Sequence, residues 1–359
     1  MKKKEAKEIG YALVLALGLG LSLFVLNTSA QTGRGGRHYT ITDLGTLGGN
    51  SSSALAVNNE GQVVGRSALP GDTTTGAFLW QDGAMTDLGS LGGTFNTANG
   101  INRAGDVVGA SELPKNAARH AVLFRNGQVI DLGALPQSGL CAAFAVNDHG
   151  DIFGGCIPFG RMGPFHATQY KDGAVIDLGT LGGPSSFTNT VNERGTAAGR
   201  ADLPDGSSRA VIFAEGAFRN LGTLPGGNFS AGRAINDRAE VACLSNTVSG
   251  DFHACLYHGR DIIDLGTLGG SFSDSGGINN RGQVVGNSTT ATGQQHAYLW
   301  SKGRMSDLND LIPPNSGWLL MSATGINDEG LIIGNGLIAG HTHAYLLIPI
   351  DADDSRDED

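Results

Sequence analysis

Residues 264–300 read DLGTLGGSFSDSGGINNRGQVVGNSTTATGQQHAYLW, and most of the 359-residue chain repeats that phrase with variations. Its first mark, Asp-Leu-Gly or a close relative, stands at Asp43, Asp87, Asp131, Asp177, Asn220, Asp264 and Asp307, 43 to 46 residues apart. Three further blocks recur in fixed order between the marks. One ends in asparagine, at Asn58, Asn102, Asn147, Asn192, Asn236, Asn279 and Asn327. A Val-Val-Gly-like block ends at Gly65, Gly109, Gly154, Gly199, Cys243, Gly286 and Gly334. The last, patterned on His-Ala-Tyr-Leu-Trp, begins at Gly76, His120, His166, Arg209, His253, His296 and His343. A period of this length marks equal supersecondary units arranged in a ring or a stack.

Each block is short, rich in β-branched, aromatic and small residues, and bounded by Gly, Asn or Asp, which is the pattern of strands and hairpins. Asn58-Asn59-Glu60-Gly61 and Asn147-Asp148-His149-Gly150 carry the Asn and Gly that a tight hairpin demands. Gln81-Asp82-Gly83, Arg125-Asn126-Gly127 and Lys171-Asp172-Gly173 do the same one hairpin later. Four antiparallel strands per period is the sequence form of a propeller blade, whereas the coils of a parallel β-helix are much shorter and lack hairpins. The expected fold is therefore all-β: a seven-bladed β-propeller over residues 38–350. It opens at His38 to Asp43 with the fourth strand of a blade and ends at His343 to Ile350 with a third strand. The N-terminal strand should then complete the last blade and close the ring.

The run Asp-Leu-Gly-Thr-Leu-Gly-Gly at Asp43, Asp177 and Asp264, followed by Gly-Ile-Asn, Gly-Gln-Val-Val-Gly and His-Ala-Tyr-Leu-Trp, resembles the HAF repeat of extracellular bacterial proteins. The resemblance covers Tyr39 to about Pro349. Departures are Gly76 and Arg209 in place of His, and Cys243 in place of Gly. The resemblance implies an exported repeat protein and brings no catalytic residues with it.

The segments outside the repeats point the same way. Lys2, Lys3, Lys4 and Lys7 precede an uncharged apolar run from Tyr11 to Leu26, and Thr28-Ser29-Ala30 supplies small residues for cleavage, so residues 1–30 read as a signal peptide and 31–37 as a short linker. The alternative is an uncleaved membrane anchor, since the run is nearly long enough to span a bilayer. Residues 351–359 hold six acids and no large apolar side chain, and read as a disordered acidic tail. The net charge is -10; removing residues 1–30 takes away four lysines and two glutamates, which leaves -12. That balance excludes nucleic acid as a partner, and it excludes membrane insertion of the mature domain unless the signal stays uncleaved.

Four cysteines in an exported chain invite pairing. Taking Val146 to face Asp151 across the hairpin at Asn147 to Gly150 sets Cys141 opposite Cys156. Cys243 and Cys255 replace a recurrent Gly and a recurrent aromatic of neighbouring strands in one repeat. Disulfides Cys141 to Cys156 and Cys243 to Cys255 are expected; the alternative is four buried thiols.

No catalytic residue, metal site or cofactor is legible. The histidines recur at one strand position in five repeats, which suits a repeated hydrogen bond rather than one active site. His341-x-His343 lacks a third ligand at metal spacing. The recurrent aspartates read as caps on turns. More suggestive are large rings among small residues where one blade connects to the next: Phe95, Phe187, Phe229, Phe272 and Trp318. Near the channel rim they would stack on a sugar or clamp a peptide; otherwise they are wedges between blades. The third repeat departs most, with a lengthened loop from Phe159 to Phe165. The expected function is an exported binding domain for a glycan, peptide or protein partner. The alternatives are a polysaccharide- or peptide-acting enzyme and a purely structural envelope protein.

Overall fold

The computed structural model describes residues 38–157 and 163–350; the expected signal segment, linker and tail, and part of the Phe159 to Phe165 loop, lie outside them. Apart from two short 3-10 turns at Pro114–Asn116 and Leu308–Leu311, the regular structure is all strand. The four blocks of a repeat are the four strands of one antiparallel meander. In the first repeat these are Ser52–Val57, Val63–Ala68, Thr75–Gln81 and Ala84–Asp87, in that order across the sheet. The pattern recurs down the chain, and single parallel bridges from Arg119 to Leu140 and from Phe252 to Phe272 link two pairs of neighbouring meanders. The last sheet takes its fourth strand from the other end of the chain. His38–Asp43 lies antiparallel to His341–Ile350, with Tyr39 opposite Pro349 and Asp43 opposite Tyr345.

Local chemistry accounts for the turns. Asp82 and Gly83 both have positive φ, 51° and 83°, the conformation a two-residue hairpin needs to match strand twist. At the other hairpin the Asn58 side-chain oxygen accepts the N–H groups of Glu60 and Gln62, holding the turn from within.

The core lies between successive sheets, and alternation along the third strand builds it. Ala77 and Leu79 face the second repeat, where Val107 and Val122 are buried, while Phe78 faces the opposite way into a cluster with Ile333, Ala344 and Leu346 of the last repeat. A strand buried on both faces loses the polar-apolar alternation of a surface sheet and becomes a continuous apolar run.

Both disulfides form as expected, with Cα separations of 4.1 Å for Cys141–Cys156 and 4.8 Å for Cys243–Cys255. They fit an oxidising location outside the cytoplasm. One step of the expected register needs correction: Val146 pairs with Ile152, not Asp151. A bulge at Phe144, between Ala143 and Ala145, shifts the register by one, and this brings Cys141 opposite Cys156. The same interruption recurs in the first strand of every repeat. The recurrent glycine follows from it. A Cβ on Gly109 would lie 1.8 Å from the Thr97 carbonyl oxygen, and one on Gly199 1.8 Å from that of Phe187. In the fifth repeat Cys243 stands there instead, and Gly232 takes the facing position.

Candidate functional site

Each recurrent histidine pairs with the recurrent aspartate of its own sheet. His120 Nδ1 lies 2.9 Å from Asp131, His166 2.7 Å from Asp177, His253 2.9 Å from Asp264 and His343 2.9 Å from Asp43, and His296 pairs with Asp307. Each of these aspartates also accepts the main-chain N–H two residues on, as Asp131 does from Gly133. Where His is missing, Asp87 and Asn220 still hold their turns through Gly89 and Gly222. The His-x-His pair does not converge on a metal: the rings are 6.4 Å apart and His343 is taken by Asp43. Among the described residues no three His, Cys, Asp or Glu gather as ligands.

The five aromatic candidates are half-buried at the seams between meanders, beside the loops that join second to third strands. Phe95 bridges to Thr75 of the preceding repeat and lies under the Arg119 guanidinium, 3.9 Å from ring centroid to Cζ. Phe187 stacks against Phe165 at 5.0 Å and Phe144 at 4.7 Å. Phe229 meets Phe252 edge-on at 5.6 Å, Phe272 bridges to Phe252, and Trp318 meets Tyr345 edge-on at 6.0 Å. None of the five is among the residues that line the axial cavity.

The first strands of all the repeats face a common cavity of about 490 Å³. At one end of it the recurrent asparagines form a circuit. Asn58 donates from Nδ2 to the carbonyl of Asn102, Asn102 to Asn147, Asn147 to Asn192, Asn192 to Asn236, Asn236 to Asn279, Asn279 to Asn327, and Asn327 back to Asn58, all between 3.0 and 3.2 Å. Each buried amide thus ties one meander to the next. The fold is a β-propeller.

No family model matches the chain, and no curated protein matches it. Among solved structures it is similar to a puromycin-hydrolyzing peptidase of Mycobacterium tuberculosis, with a TM-score of 0.56 at 12% identity over 88% of this chain and 55% of that one. It is also similar to the acylaminoacyl peptidase of Pyrococcus horikoshii, at 0.51 and 10% over 83% and 52%. The beta-propeller domain of the trilobed protease from Pyrococcus furiosus aligns at 0.47 and 8% over 84% and 96%. The chain spans about half the length of the two peptidases. At such identities the likeness is one of fold.

In the propeller the bulges acquire a second role. The bulged residues are Leu55, Asn99, Phe144, Asn189, Arg233, Gly276 and Thr324; all line the axial cavity and all are half-buried, whereas the residue before each is buried. A bulge leaves one residue unpaired and re-aims its side chain. Sequence reasoning missed this set because a bulge carries no composition of its own; the recurrent glycine on the facing strand was its one available sign.

The residues after the asparagines form a second tier at the turn end of the cavity. Arg103 donates its N–H to Asp148, Asp148 to Glu193, Glu193 to Asp237, Asp237 to Asn280, and Asn280 to Asp328. Burial raises the Glu193 carboxyl above its ordinary range, against the N–H it accepts from Asp148, and the charges of Asp148 and Asp237 add to the rise. Deeper among the strands, Arg233 pairs with Asp274 through Nε at 3.0 Å and Nη2 at 2.7 Å. Burial nonetheless holds the Asp274 carboxyl above its usual range.

Proposed function

We propose that the chain is a seven-bladed propeller of the HAF-repeat kind, closed by its N-terminal strand, and that it acts as an exported binding domain. Its ligand or partner meets the face carrying the inter-blade connections and the loops between second and third strands. The observation that carries this reading is an apolar patch on that face. Val248, 83% exposed, stands in the loop leading to Phe252, itself 36% exposed, and Phe252 adjoins Phe229 and Phe272. Exposed apolar clusters bounded by polar residues mark contact surfaces. The loops here differ in length and chemistry from blade to blade, and variable loops on a rigid scaffold are where recognition resides. The opposite face offers little besides near-identical Asn-x-x-Gly and x-Asp-Gly turns.

Glycan and peptide arrays probed with the protein identify the ligand. Replacing Val248 and Phe252 with serine, or Phe95 and Trp318 with alanine, should then weaken binding about tenfold or more with the melting temperature nearly unchanged. Changing Asn59 on the turn face should leave binding intact. The reverse outcome would place the site on the other face.

A further inference from the structure

Around the axial cavity the repeats share one backbone frame, while the side chain at the bulge varies from repeat to repeat. On one arc of it the fourth, fifth and sixth blades follow the third with Asn189, Arg233 and Gly276 after Phe144. Phe144 is backed by Phe187, whose ring lies 4.7 Å away at a tilt of 35°. The Asn189 amide nitrogen is spent on the Gly232 carbonyl at 2.7 Å, and among the described residues its oxygen accepts no hydrogen bond. The Asp274 pair occupies Nε and Nη2 of Arg233 and leaves Nη1 outside it. At Gly276 a side chain is excluded, because a Cβ would lie 2.2 Å from the Ala323 carbonyl oxygen.

We propose that this arc is a binding site for one neutral, hexose-sized sugar residue. An apolar ring face rests on Phe144, and adjacent hydroxyls donate to Asn189 Oδ1 and accept from Arg233 Nη1. A cavity of about 490 Å³ is of the size that holds small ligands. Bulges commonly re-aim side chains beside active sites. Neutral charge follows from the surroundings. Arg233 is already paired with Asp274 and Arg103, the other cation of the lining, with Glu60, while Asp148, Glu193, Asp237 and Asp328 stand at the turn end of the same cavity, so an anionic sugar meets no unpaired cation and a negative field. On the arc itself a cation finds no free carboxylate, because Asp274 is paired with Arg233.

The site is separate from the loop-face reading and rests on different residues. The full chain is titrated calorimetrically with the methyl glycosides of glucose, galactose, mannose and N-acetylglucosamine, with methyl glucuronide and spermidine as charged controls. At least one neutral glycoside should bind, and Phe144→Ala and Asn189→Ala should each weaken it about tenfold. Leu55→Trp, which fills the bore from the opposite side, should abolish it, while Arg260→Ala, exposed on an outer hairpin away from the cavity, should leave it unchanged. Circular dichroism melts of each variant separate lost binding from lost fold. Binding of no neutral glycoside near roughly 1 mM, preference for either charged control, or affinity unmoved by folded Phe144 and Asn189 variants would overturn the proposal.

Discussion

Single residues in this propeller are constrained by their neighbours within a blade. Glu240 shows how. Its carboxylate is almost wholly buried and accepts from Asn236, from Arg238 at 2.7 Å and from His258 at 2.6 Å. Burial alone would raise its pKa, but these hydrogen bonds together outweigh burial and hold it below the ordinary glutamate range. A depressed folded pKa contributes stability that is present above the unfolded value and lost as pH falls through the folded one. Glu240→Gln should therefore cost about 1–2 kcal/mol at neutral pH and flatten part of the acid limb of the stability curve. Glu193 and Asp274, raised by burial, act in the opposite sense, so the wild type and variant must be compared. Melting temperatures taken from neutral pH down through the glutamate range decide it; curves offset by a constant would show that Glu240 does not titrate with folding.

Among elements, the inner hairpin of each repeat does two tasks with one residue. Asn192 holds its own turn by accepting the N–H groups of Arg194 and Thr196, and it reaches the next blade by donating to the carbonyl of Asn236. The residue is 4% exposed, so truncation leaves buried polar groups without partners. Asn192→Ala is expected to cost about 3 kcal/mol in urea unfolding, against under about 1 kcal/mol for the exposed Asn59→Ala. Equal losses at the two sites would mean that the circuit adds nothing beyond an ordinary turn. The disulfides act at this scale too. They cross neighbouring strands within one blade, at sequence separations of 15 and 12, so each stiffens a single meander and not the ring.

For the whole molecule the ends of the chain matter most. His38–Asp43 gives the last sheet its fourth strand, and Tyr39, 1% exposed, packs into the cluster with Leu320, Ile332 and Tyr345. Deleting residues 38–42 removes that buried ring and the pairing with residues 346–350, and it leaves an open strand edge there. The truncated protein should melt well below the intact one and associate through that edge, as light scattering would reveal. A monomer with an unchanged melting temperature would refute closure by this strand.

The repeat period, the order of four strands, both families of hairpin turn and both cysteine pairings were legible in the amino-acid sequence, because each depends on residues within about one period of one another. The Cys141 pairing was found despite a misplaced register, since the Phe144 bulge restored it two residues before the bridge. The turn role of the aspartates could be read as well, from their fixed place beside Gly. The lining of the cavity could not. It depends on bulges that carry no residue signature and on a circuit of asparagine hydrogen bonds, six of them 43 to 48 residues apart and the seventh joining Asn327 to Asn58 across 269. Local spacing determines which strands form and how they turn, whereas which side chains face one another across the axis is decided when the sheets pack side by side around it.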